Sequence, residues 1–389
     1  MSGTSLLDEP PIPPPMATGL RPLRLAFAGG GTGGHIVPGL HILAAAREAG
    51  VAPPDLVWFT SGRPVEDRVL AKLEERAGPV PCERVVLSVE PEGGGAPSRV
   101  GLIFKLPSSY GQALAALKRH RPQVLVGLGG FTSLPAVLAA RRLGIPVALL
   151  EINAHAGSAT TWLSRFATRV LHAWKATMPA AAGPRHAHVG PPLAPDFAPD
   201  PHGVAAARAE LGFDPDAPLF VVLGGSQGSS ALNRFVREHA PALARAGVQV
   251  LHQTGPKKLA EGAEPFSGYR KLEYIDPVRP ALAAATVVLC RGGASTLAEV
   301  AAMRVPCFVA PYPHHADRHQ ERNARELGEG MRLVQDEALD ASFRDELAHL
   351  LSDEGRAERE SMQAALARAM PHGSSLRVLA ELAAIAREA

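Results

Sequence analysis

The chain has 389 residues, which is too long for one ordinary hydrophobic core and predicts two domains. Its 40 basic and 38 acidic residues give a formal net charge of +2, which excludes a strong overall field that would gather nucleic acid or acidic partners. Hydrophobic residues make up 46%, as in globular proteins, and Cys82, Cys290 and Cys307 lack the spacing of a disulfide framework or a zinc ribbon.

The first residues of the chain are dense in proline. Because proline favours extended, poorly ordered chain, we expect residues 1–21 to form a disordered leader ahead of the first strand. No basic segment precedes an apolar stretch, and no apolar run approaches the roughly 18 to 20 residues of a membrane span. We therefore predict neither an exported nor a transmembrane protein.

From Leu23 onwards, short apolar runs alternate with longer segments of helical periodicity, which is typical of a parallel sheet covered by helices. The candidate strands of the first half are LRLAFAG, DLVWFTS, VLVGLGG, PVALLE and RVLHAW. Its candidate helices are residues 41–49, 65–76, 111–120, 135–143 and 159–166.

A second cycle begins near residue 218, with the candidate strands PLFVVLGG, VQVLHQTG, KLEYID, TVVLC and VPCFVAP. The prolines and glycines of HVGPPLAPDFAPDPHG indicate a linker between the two cycles. We therefore expect an N-terminal domain at 22–191 and a C-terminal domain at 192–373. A last amphipathic helix, at about 374–389, could pack on either domain. The predicted fold class is α/β, with two doubly wound domains.

Three glycine-rich turns follow predicted strands, at residues 29–34, 224–228 and 292–293. In open parallel sheets, ligands bind beyond the carboxyl ends of the strands, and glycine lets the backbone approach a phosphate. Any one of these could be no more than a turn. Together they predict a phosphate-bearing ligand in a cleft between two domains.

A dinucleotide site is the first alternative, because Gly29, Gly31 and Gly34 match G-x-G-x-x-G. Such a site also needs an acid that closes the next strand, and DLVWFTSGR has none there. An NADP site could use Ser61 and Arg63 instead, so a dehydrogenase stays open as a weaker alternative.

The second half offers neutral donors and one acid for a nucleotide. GGSQG supplies backbone N–H groups with the Ser226 hydroxyl and the Gln227 amide, which suit a diphosphate. Glu299 lies about two turns into the next glycine-led helix, where its carboxylate could accept two ribose hydroxyls or simply be solvated. The segment PHHADRHQ lacks the H-E-x-x-H spacing of a zinc hydrolase, and we predict no metal site.

Six segments, in order between about residues 23 and 370, resemble the MurG family of bacterial N-acetylglucosaminyltransferases. They are GGGTGGHIVPGL, GLGGFTSLPAVLAARRLGIPVALLEINAHAG, VVLGGSQGSSALN, EYID, CRGGASTLAEVAAMRVPCFVAPYP and HQERNA. The resemblance implies a GT-B fold, with two Rossmann-like domains facing a central cleft and a last helix that returns to the N-terminal domain. It implies inverting transfer from UDP-N-acetylglucosamine to lipid I, which forms lipid II, without metal or cofactor.

The resemblance also implies which residues bind the donor, and all of them lie in the second half: Ser226, Gln227, Ile275, Glu299, His319 and Gln320. The segment at Ile275 would hold uracil and Glu299 the ribose. Ser226 and Gln227 would meet the diphosphate, while His319 and Gln320 would contact the sugar hydroxyls.

The first half would then serve the acceptor, with Thr32, Gly33 and Gly34 at its pyrophosphate and Asn153 in the same cleft. His35 is the candidate base for the acceptor 4-hydroxyl, because a neutral imidazole after the glycines could accept the proton. His35 could instead contact phosphate or cap the helix.

Several positions depart from the family pattern, and they bear on the acceptor. Leu150 and Ile152 replace polar family residues beside Glu151, which we expect to orient its loop. Pro191 and Ala194 replace a family asparagine and arginine, so a cation that could meet phosphate is lost. The alternatives are therefore a transferase with another lipid or glycan acceptor, or a homologue that binds the UDP-sugar with little turnover.

The family also implies a peripheral protein on the cytoplasmic face of the inner membrane. RVGLIFKLP and ALKRHRP supply apolar residues beside basic ones, and they predict a membrane surface on the N-terminal domain. The basic residues concerned are Lys105, Lys118, Arg119 and Arg121. The alternative is an amphipathic core helix with a solvated basic end.

Overall fold

The computed structural model describes residues 20–31, 33–89, 99–314, 317–371 and 373–388, so nearly all of the expected leader lies outside the described residues. The chain divides into two compact units. The first takes in the described residues up to Pro195 and resumes at Pro371, and the second is Asp196–Met370.

Each unit is built on one parallel sheet. The strands of the first are β1 Leu25–Gly29, β2 Leu56–Thr60, β3 Cys82–Val86, β4 Val124–Gly129, β5 Val147–Glu151, β6 Arg169–His172 and β7 His186–His188. Those of the second are β8 Leu219–Leu223, β9 Gln249–Gln253, β10 Tyr269–Leu272, β11 Val287–Cys290, β12 Cys307–Val309 and β13 Met331–Leu333.

The helices flank these sheets and follow the strands in alternation. They are α1 Val37–Glu48, α2 Pro64–Leu70, α3 Leu73–Ala77, α4 Arg99–His120, α5 Ser133–Arg142, α6 Ser158–Leu163, α7 Val204–Glu210, α8 Ser230–Arg245, α9 Arg279–Ala284, α10 Ala294–Ala302, α11 His319–Arg325, α12 Ala341–Leu351, α13 Arg356–Ala369 and α14 Ser374–Glu388.

The strand order has the same form in both units. It is β3-β2-β1-β4-β5-β6-β7 in the first and β10-β9-β8-β11-β12-β13 in the second, with parallel pairing throughout the described strands. This is the doubly wound order, in which successive strands are added on one side of the first strand and then on its other side. The predicted α/β class with two doubly wound domains is confirmed.

The order also locates the ligand crevices. In doubly wound sheets, ligands bind where the strand order reverses, outside the carboxyl ends of the strands. That point lies between β1 and β4 in the first unit and between β8 and β11 in the second. The glycine-rich turns after β1, β8 and β11 therefore lie at the two switch points.

In the first unit, α1 packs closely against the sheet. Phe27 of β1 and Trp58 of β2 are fully buried and stack with ring centroids 4.8 Å apart. A Cβ on Gly39 of α1 would lie 2.7 Å from the Trp58 ring, so only glycine allows this approach. The beginning of α1 is thereby held at the end of β1.

The last helix, α14, packs against α1 in the first unit. The Ser375 hydroxyl donates a hydrogen bond of 2.7 Å to the Leu193 carbonyl. Arg169 of β6 pairs with Glu381 at 3.3 Å and with Glu388 at 3.6 Å. These contacts attach the C-terminal segment to the sheet that is formed mainly by the first half of the chain.

Some predicted elements are displaced. The strand predicted in KLEYID is wrong in position, because β10 ends at Leu272 and leaves Ile275 in the loop beyond it. The helix predicted at 65–76 is interrupted between α2 and α3, and α4 begins earlier than predicted and contains Pro107.

Candidate functional site

The switch point of the first unit is centred on His35. This residue lies in the 3₁₀ turn Gly33–His35, just ahead of α1. A Cβ on Gly129, at the end of β4, would lie 3.1 Å from the His35 ring, and Gly129 has φ +105°. The Ser133 hydroxyl lies 2.7 Å from the Ala28 carbonyl and ties the start of α5 to β1. The ends of β1 and β4 therefore leave space for one imidazole.

The hydrogen bond of His35 fixes its tautomer. Nδ1 lies 2.8 Å from the carbonyl oxygen of Gly30. A carbonyl can only accept, so Nδ1 carries the hydrogen and the neutral ring has its lone pair on Nε2. This is the form in which a histidine can take a proton from a substrate hydroxyl.

The buried side chain of Glu66 binds the backbone of the glycine-rich turn. Glu66 of α2 is 0% exposed, and its Oε1 accepts the N–H of Gly31 at 2.6 Å. Its Oε2 accepts the N–H groups of Gly62 at 2.7 Å and Arg63 at 3.1 Å. The Arg63 guanidinium donates to the Gly31 carbonyl at 2.9 Å. Both backbone groups of Gly31 are thus bound within the protein.

The surroundings of Glu66 keep it ionised. Burial alone would raise the pKa of this carboxyl, but hydrogen bonds from the Ser61 hydroxyl, at 2.5 Å, and from the backbone of Gly31, Ser61 and Gly62 hold its pKa below the usual range. Arg84 of β3 approaches the carboxylate at 3.3 Å. Ser61 and Arg63, which an NADP site would need, are both engaged in fixing this turn.

Two of the other predicted acceptor residues, Gly33 and Gly34, form the 3₁₀ turn with His35, and Thr32 is outside the described residues. Asn153 follows β5, where Oε1 of the buried Glu151 accepts its backbone N–H at 3.0 Å and its amide at 3.2 Å. Glu151 therefore orients this loop.

The positions that depart from the family pattern are buried. Leu150 and Ile152 belong to the core around β5. Ala194 is 2% exposed and donates its N–H to Nδ1 of His41 at 3.0 Å. These departures therefore face the interior of the first unit.

In the second unit, Ser226 and Gln227 occupy the tip of a tight turn. The N–H of Gly228 donates to the Gly225 carbonyl at 3.1 Å, which closes the turn around them. Gly228 has φ +69°, and a Cβ there would lie 2.2 Å from the carbonyl oxygen of Thr254. The turn is therefore pressed against the backbone that follows β9.

Gln253 joins this turn to the Ile275 loop. Its amide nitrogen donates to the Gly225 carbonyl at 2.8 Å, and its amide oxygen accepts the N–H of Ile275 at 3.1 Å. The side chain is buried, with 4% exposure. Sequence reasoning treated HQTG only as a strand and missed this residue, because no periodic pattern marks a side chain that binds two distant backbone segments.

A second set of hydrogen bonds attaches α11, which begins with His319 and Gln320, to the turn after β11. The Gln320 amide oxygen accepts the N–H groups of Gly292 at 3.2 Å and Tyr312 at 2.9 Å. The Asn323 amide donates to the Gly292 carbonyl at 3.1 Å. A Cβ on Gly292 would lie 2.3 Å from the Gln320 carbonyl oxygen, so glycine is required where α11 meets the turn.

Glu299 and Arg291 complete this side of the second unit. Glu299 is 8% exposed, so the alternative of a solvated helix residue is wrong. The Arg291 guanidinium binds both Asp336 oxygens, at 2.5 and 2.9 Å, and donates to the Ser229 hydroxyl at 2.6 Å. Ser229 caps α8 by accepting the N–H of Leu232. Arg291, which the sequence analysis missed, therefore ties the end of β11 to the start of α8.

The second unit thus assembles the predicted donor residues around its own switch point. Ser226 and Gln227 are linked to Ile275 through Gln253, and Gln320 is bound to the Gly292 turn that precedes the helix of Glu299. Nδ1 of His319 lies 2.8 Å from Asp317. Across the described residues, which omit His315, no three His, Cys, Asp or Glu side chains are grouped so that they could hold a metal ion.

Both halves of the chain match domains of one glycosyltransferase family. The Glycosyltransferase family 28 N-terminal domain matches residues 25–172, and the Glycosyltransferase family 28 C-terminal domain matches residues 219–374.

The chain is also similar over most of its length to proteins that share one name. UDP-N-acetylglucosamine--N-acetylmuramyl-(pentapeptide) pyrophosphoryl-undecaprenol N-acetylglucosamine transferase from Paenarthrobacter aurescens is 37% identical over 87% of this chain and 91% of its own length. The protein of the same name from Halorhodospira halophila is 36% identical over 85% of this chain and 90% of its own.

Solved structures share the fold at lower identity. Acinetobacter baumannii MurG superposes with a TM-score of 0.66 at 24% identity, covering 94% of this chain and 99% of its own. The calicheamicin glycosyltransferase CalG4 gives 0.64 at 20% identity, covering 94% and 98%.

Proposed function

Because the chain belongs to the MurG family, we propose that it transfers N-acetylglucosamine from UDP-N-acetylglucosamine to the 4-hydroxyl of N-acetylmuramic acid in lipid I. The product is lipid II, so the protein is a hexosyltransferase of peptidoglycan biosynthesis. The observation that carries this conclusion is the identity to relatives of that name over most of both chains.

We assign donor binding to the second unit. The neutral donors at the tip of the Ser226 and Gln227 turn suit a diphosphate, and the Ile275 loop, held against that turn by Gln253, suits the uracil. The Glu299 carboxylate can accept two ribose hydroxyls. His319 and Gln320 would meet the sugar hydroxyls.

We assign acceptor binding and proton removal to the first unit. Thr32, Gly33 and Gly34 would cradle the acceptor pyrophosphate, with Asn153 at the neighbouring loop. Nε2 of His35 takes the proton of the 4-hydroxyl while that oxygen attacks the anomeric carbon. The bond to UDP breaks in the same step, and UDP leaves with the electron pair, so the anomeric configuration inverts.

Transfer of labelled sugar tests this function. The purified protein is incubated with labelled UDP-N-acetylglucosamine and a short-chain lipid I analogue in the presence of chelator, and we expect a labelled lipid II analogue. Donor binding without transfer to lipid I would contradict the assignment and favour another acceptor, as the loss of the family arginine at Ala194 suggests. Binding of NADPH in place of UDP would contradict both.

The Gln253 side chain holds the Gly225 turn and the Ile275 loop together. Its replacement by Leu is expected to weaken UDP binding about tenfold, because the Gly225 carbonyl and the Ile275 N–H lose their shared partner and the two loops separate. Isothermal titration with UDP measures the affinity. We also expect a loss of roughly 2 kcal/mol in the free energy of unfolding, from two buried groups left unpaired.

Gln249 provides the matched control at the other end of β9. It is also a buried amide, and it binds the N–H of Asp214 at 2.7 Å and the Asp214 carbonyl at 2.9 Å. Gln249→Leu should cost similar stability and leave UDP affinity unchanged. Equal UDP affinity in the two variants would show that Gln253 has no part in the donor site.

We infer further that the protein works as a peripheral protein on the cytoplasmic face of the inner membrane. None of the helices in the described ranges has the length and apolarity to cross a membrane. Trp162 on α6 is 44% exposed, and the Arg165 guanidinium lies 4.5 Å from its ring centroid. An exposed indole beside a cation suits the headgroup region.

The sequence placed a membrane surface on a different helix, α4, and the basic residues predicted there differ in their exposure and ion pairing. On α4, Lys105 and Lys118 are exposed. Arg119, by contrast, forms an ion pair with Glu83 on β3. We therefore expect the lysines of α4 to contribute more than Arg119 to attraction by anionic lipid.

Vesicle sedimentation tests the membrane surface. Trp162→Ala is expected to bind anionic phospholipid vesicles roughly tenfold more weakly, which corresponds to about 1.4 kcal/mol of lost apolar burial. Leu259 is an equally exposed apolar side chain in the second unit, at 41%. Leu259→Ala should bind vesicles like the unaltered protein, and an equal loss in both variants would argue against Trp162 as a membrane contact.

A further inference from the structure

We propose that Glu66 is a positioning residue for His35 and acts through the peptide group between Gly30 and Gly31. Oε1 of Glu66 binds the N–H of this peptide group, and Nδ1 of His35 binds its carbonyl. The inference rests on the proposed role of His35 as the base, and its test includes a measurement that needs no turnover.

The two bonds lie at opposite ends of one planar unit. The Gly30 carbonyl accepts the Nδ1 hydrogen of His35 at 2.8 Å, and the N–H of the same peptide group, which belongs to Gly31, donates to Oε1 of Glu66 at 2.6 Å. Carboxylate, peptide and imidazole therefore form one continuous chain of hydrogen bonds. In such a chain each bond polarises the next.

The glycine at position 30 allows this chain to form. A Cβ on Gly30 would lie 2.6 Å from Oε1 of Glu66 and 2.7 Å from the backbone nitrogen of Ser61. Any side chain there would push the peptide off the carboxylate. Gly30 thus lets the turn lie close to Glu66, and Gly129 leaves space for the His35 ring.

The carboxylate itself cannot move to another partner. Oε2 is held by the N–H groups of Gly62 and Arg63, and the side chain is fully buried. Arg84 of β3 approaches Oε2 at 3.3 Å and also pairs with the exposed Asp67. Oε1 accepts the Ser61 hydroxyl at 2.5 Å and the Ser61 N–H at 3.1 Å as well as the Gly31 N–H at 2.6 Å, so these donors fix the carboxylate in place against the peptide.

This arrangement can assist the base in two ways. A negative charge on the N–H side makes the Gly30 carbonyl a better acceptor, which favours the tautomer with hydrogen on Nδ1 and the lone pair on Nε2. When Nε2 takes the acceptor proton, the same chain stabilises the imidazolium. Bases in many active sites are oriented by a carboxylate in direct contact, whereas here a peptide group relays the effect.

Nitrogen NMR of ring-labelled histidine tests the proposal directly. At near-neutral pH we expect His35, identified by the signal lost in His35→Ala, to carry its hydrogen on Nδ1. In Glu66→Gln, which keeps the size of the side chain but removes its charge, we expect the population with hydrogen on Nε2 to rise. In the same variant kcat should fall roughly tenfold or more, while KM for UDP-N-acetylglucosamine is unchanged.

Asp67→Asn is the matched control, because Asp67 lies on the same helix and shares Arg84 but does not touch the glycine turn. It should leave both the tautomer and kcat unchanged. A wild-type His35 with its hydrogen on Nε2 would overturn the proposal without any variant, even if Glu66→Gln failed to fold. An unchanged tautomer and kcat in folded Glu66→Gln would also overturn it. If the protein transferred no sugar to lipid I, the tautomer measurement would still decide the role of Glu66.

Discussion

Replacing His35 with Ala is expected to lower kcat by about 10²- to 10⁴-fold, the usual contribution of a general base, while UDP affinity stays nearly unchanged. We expect this because the two proposed tasks belong to different units. The proposed donor residues surround the switch point of the second sheet, whereas His35 lies at the switch point of the first. Steady-state kinetics with varied donor and acceptor, together with titration of UDP, separates the two effects.

His120 serves as the control histidine in the same unit. Its ring pairs with Asp55 at 3.0 Å and with Glu83 at 2.6 Å, near the amino ends of the strands and away from the glycine turn. His120→Gln should therefore keep nearly full kcat. If His35→Ala retained wild-type turnover, the base would be another group and His35 would at most contact phosphate.

Gly228→Ala is expected to destabilise the protein by about 2 to 5 kcal/mol and to abolish measurable UDP binding. The φ of +69° costs a non-glycine residue roughly 1 to 2 kcal/mol, and a Cβ at 2.2 Å from the Thr254 carbonyl forces the turn away from β9. The displaced turn would carry Ser226 and Gln227 with it. Denaturant unfolding and calorimetric titration measure the two losses.

Gly247 is a matched glycine without the close approach. It has φ +80°, but a Cβ there meets no atom within 4 Å. Gly247→Ala should therefore cost about 1 to 2 kcal/mol and leave UDP affinity intact. If Gly228→Ala bound UDP as tightly as Gly247→Ala, the turn after β8 would not be the diphosphate site.

The strands that the sequence predicted well are the fully buried ones. β1, β2, β5 and β8 are continuous apolar runs buried on both faces, and such runs stand out from the helices between them. The missed strands β3 and β7 lie at the two edges of the first sheet, where their side chains are only half-buried. β10, whose position was predicted wrongly, is also an edge strand. Edge strands carry too little apolar periodicity to be located.

Prediction of the site residues from the sequence was limited in a similar way. Glycine turns and helix starts have local signatures, so Gly30 to His35 and Gly224 to Gly228 could be identified. Glu66 and Gln253 could not, because each acts by a side-chain contact with backbone more than twenty residues away. The absence of an acid at the end of β2 argued against a dinucleotide. The structure shows that an acid does reach the turn, from α2, but it binds a peptide N–H and leaves no carboxylate for a ribose.

We propose that the nucleotide binds to the second unit and that the glycine-rich turn of the first serves the acceptor. A crystal structure of the protein with UDP would show which unit holds the nucleotide. We predict density for uracil at the Ile275 loop, for the ribose at Glu299 and for the diphosphate at Ser226 and Gln227. Density for the diphosphate on the turn between Gly30 and His35 would show instead that the first unit binds the nucleotide.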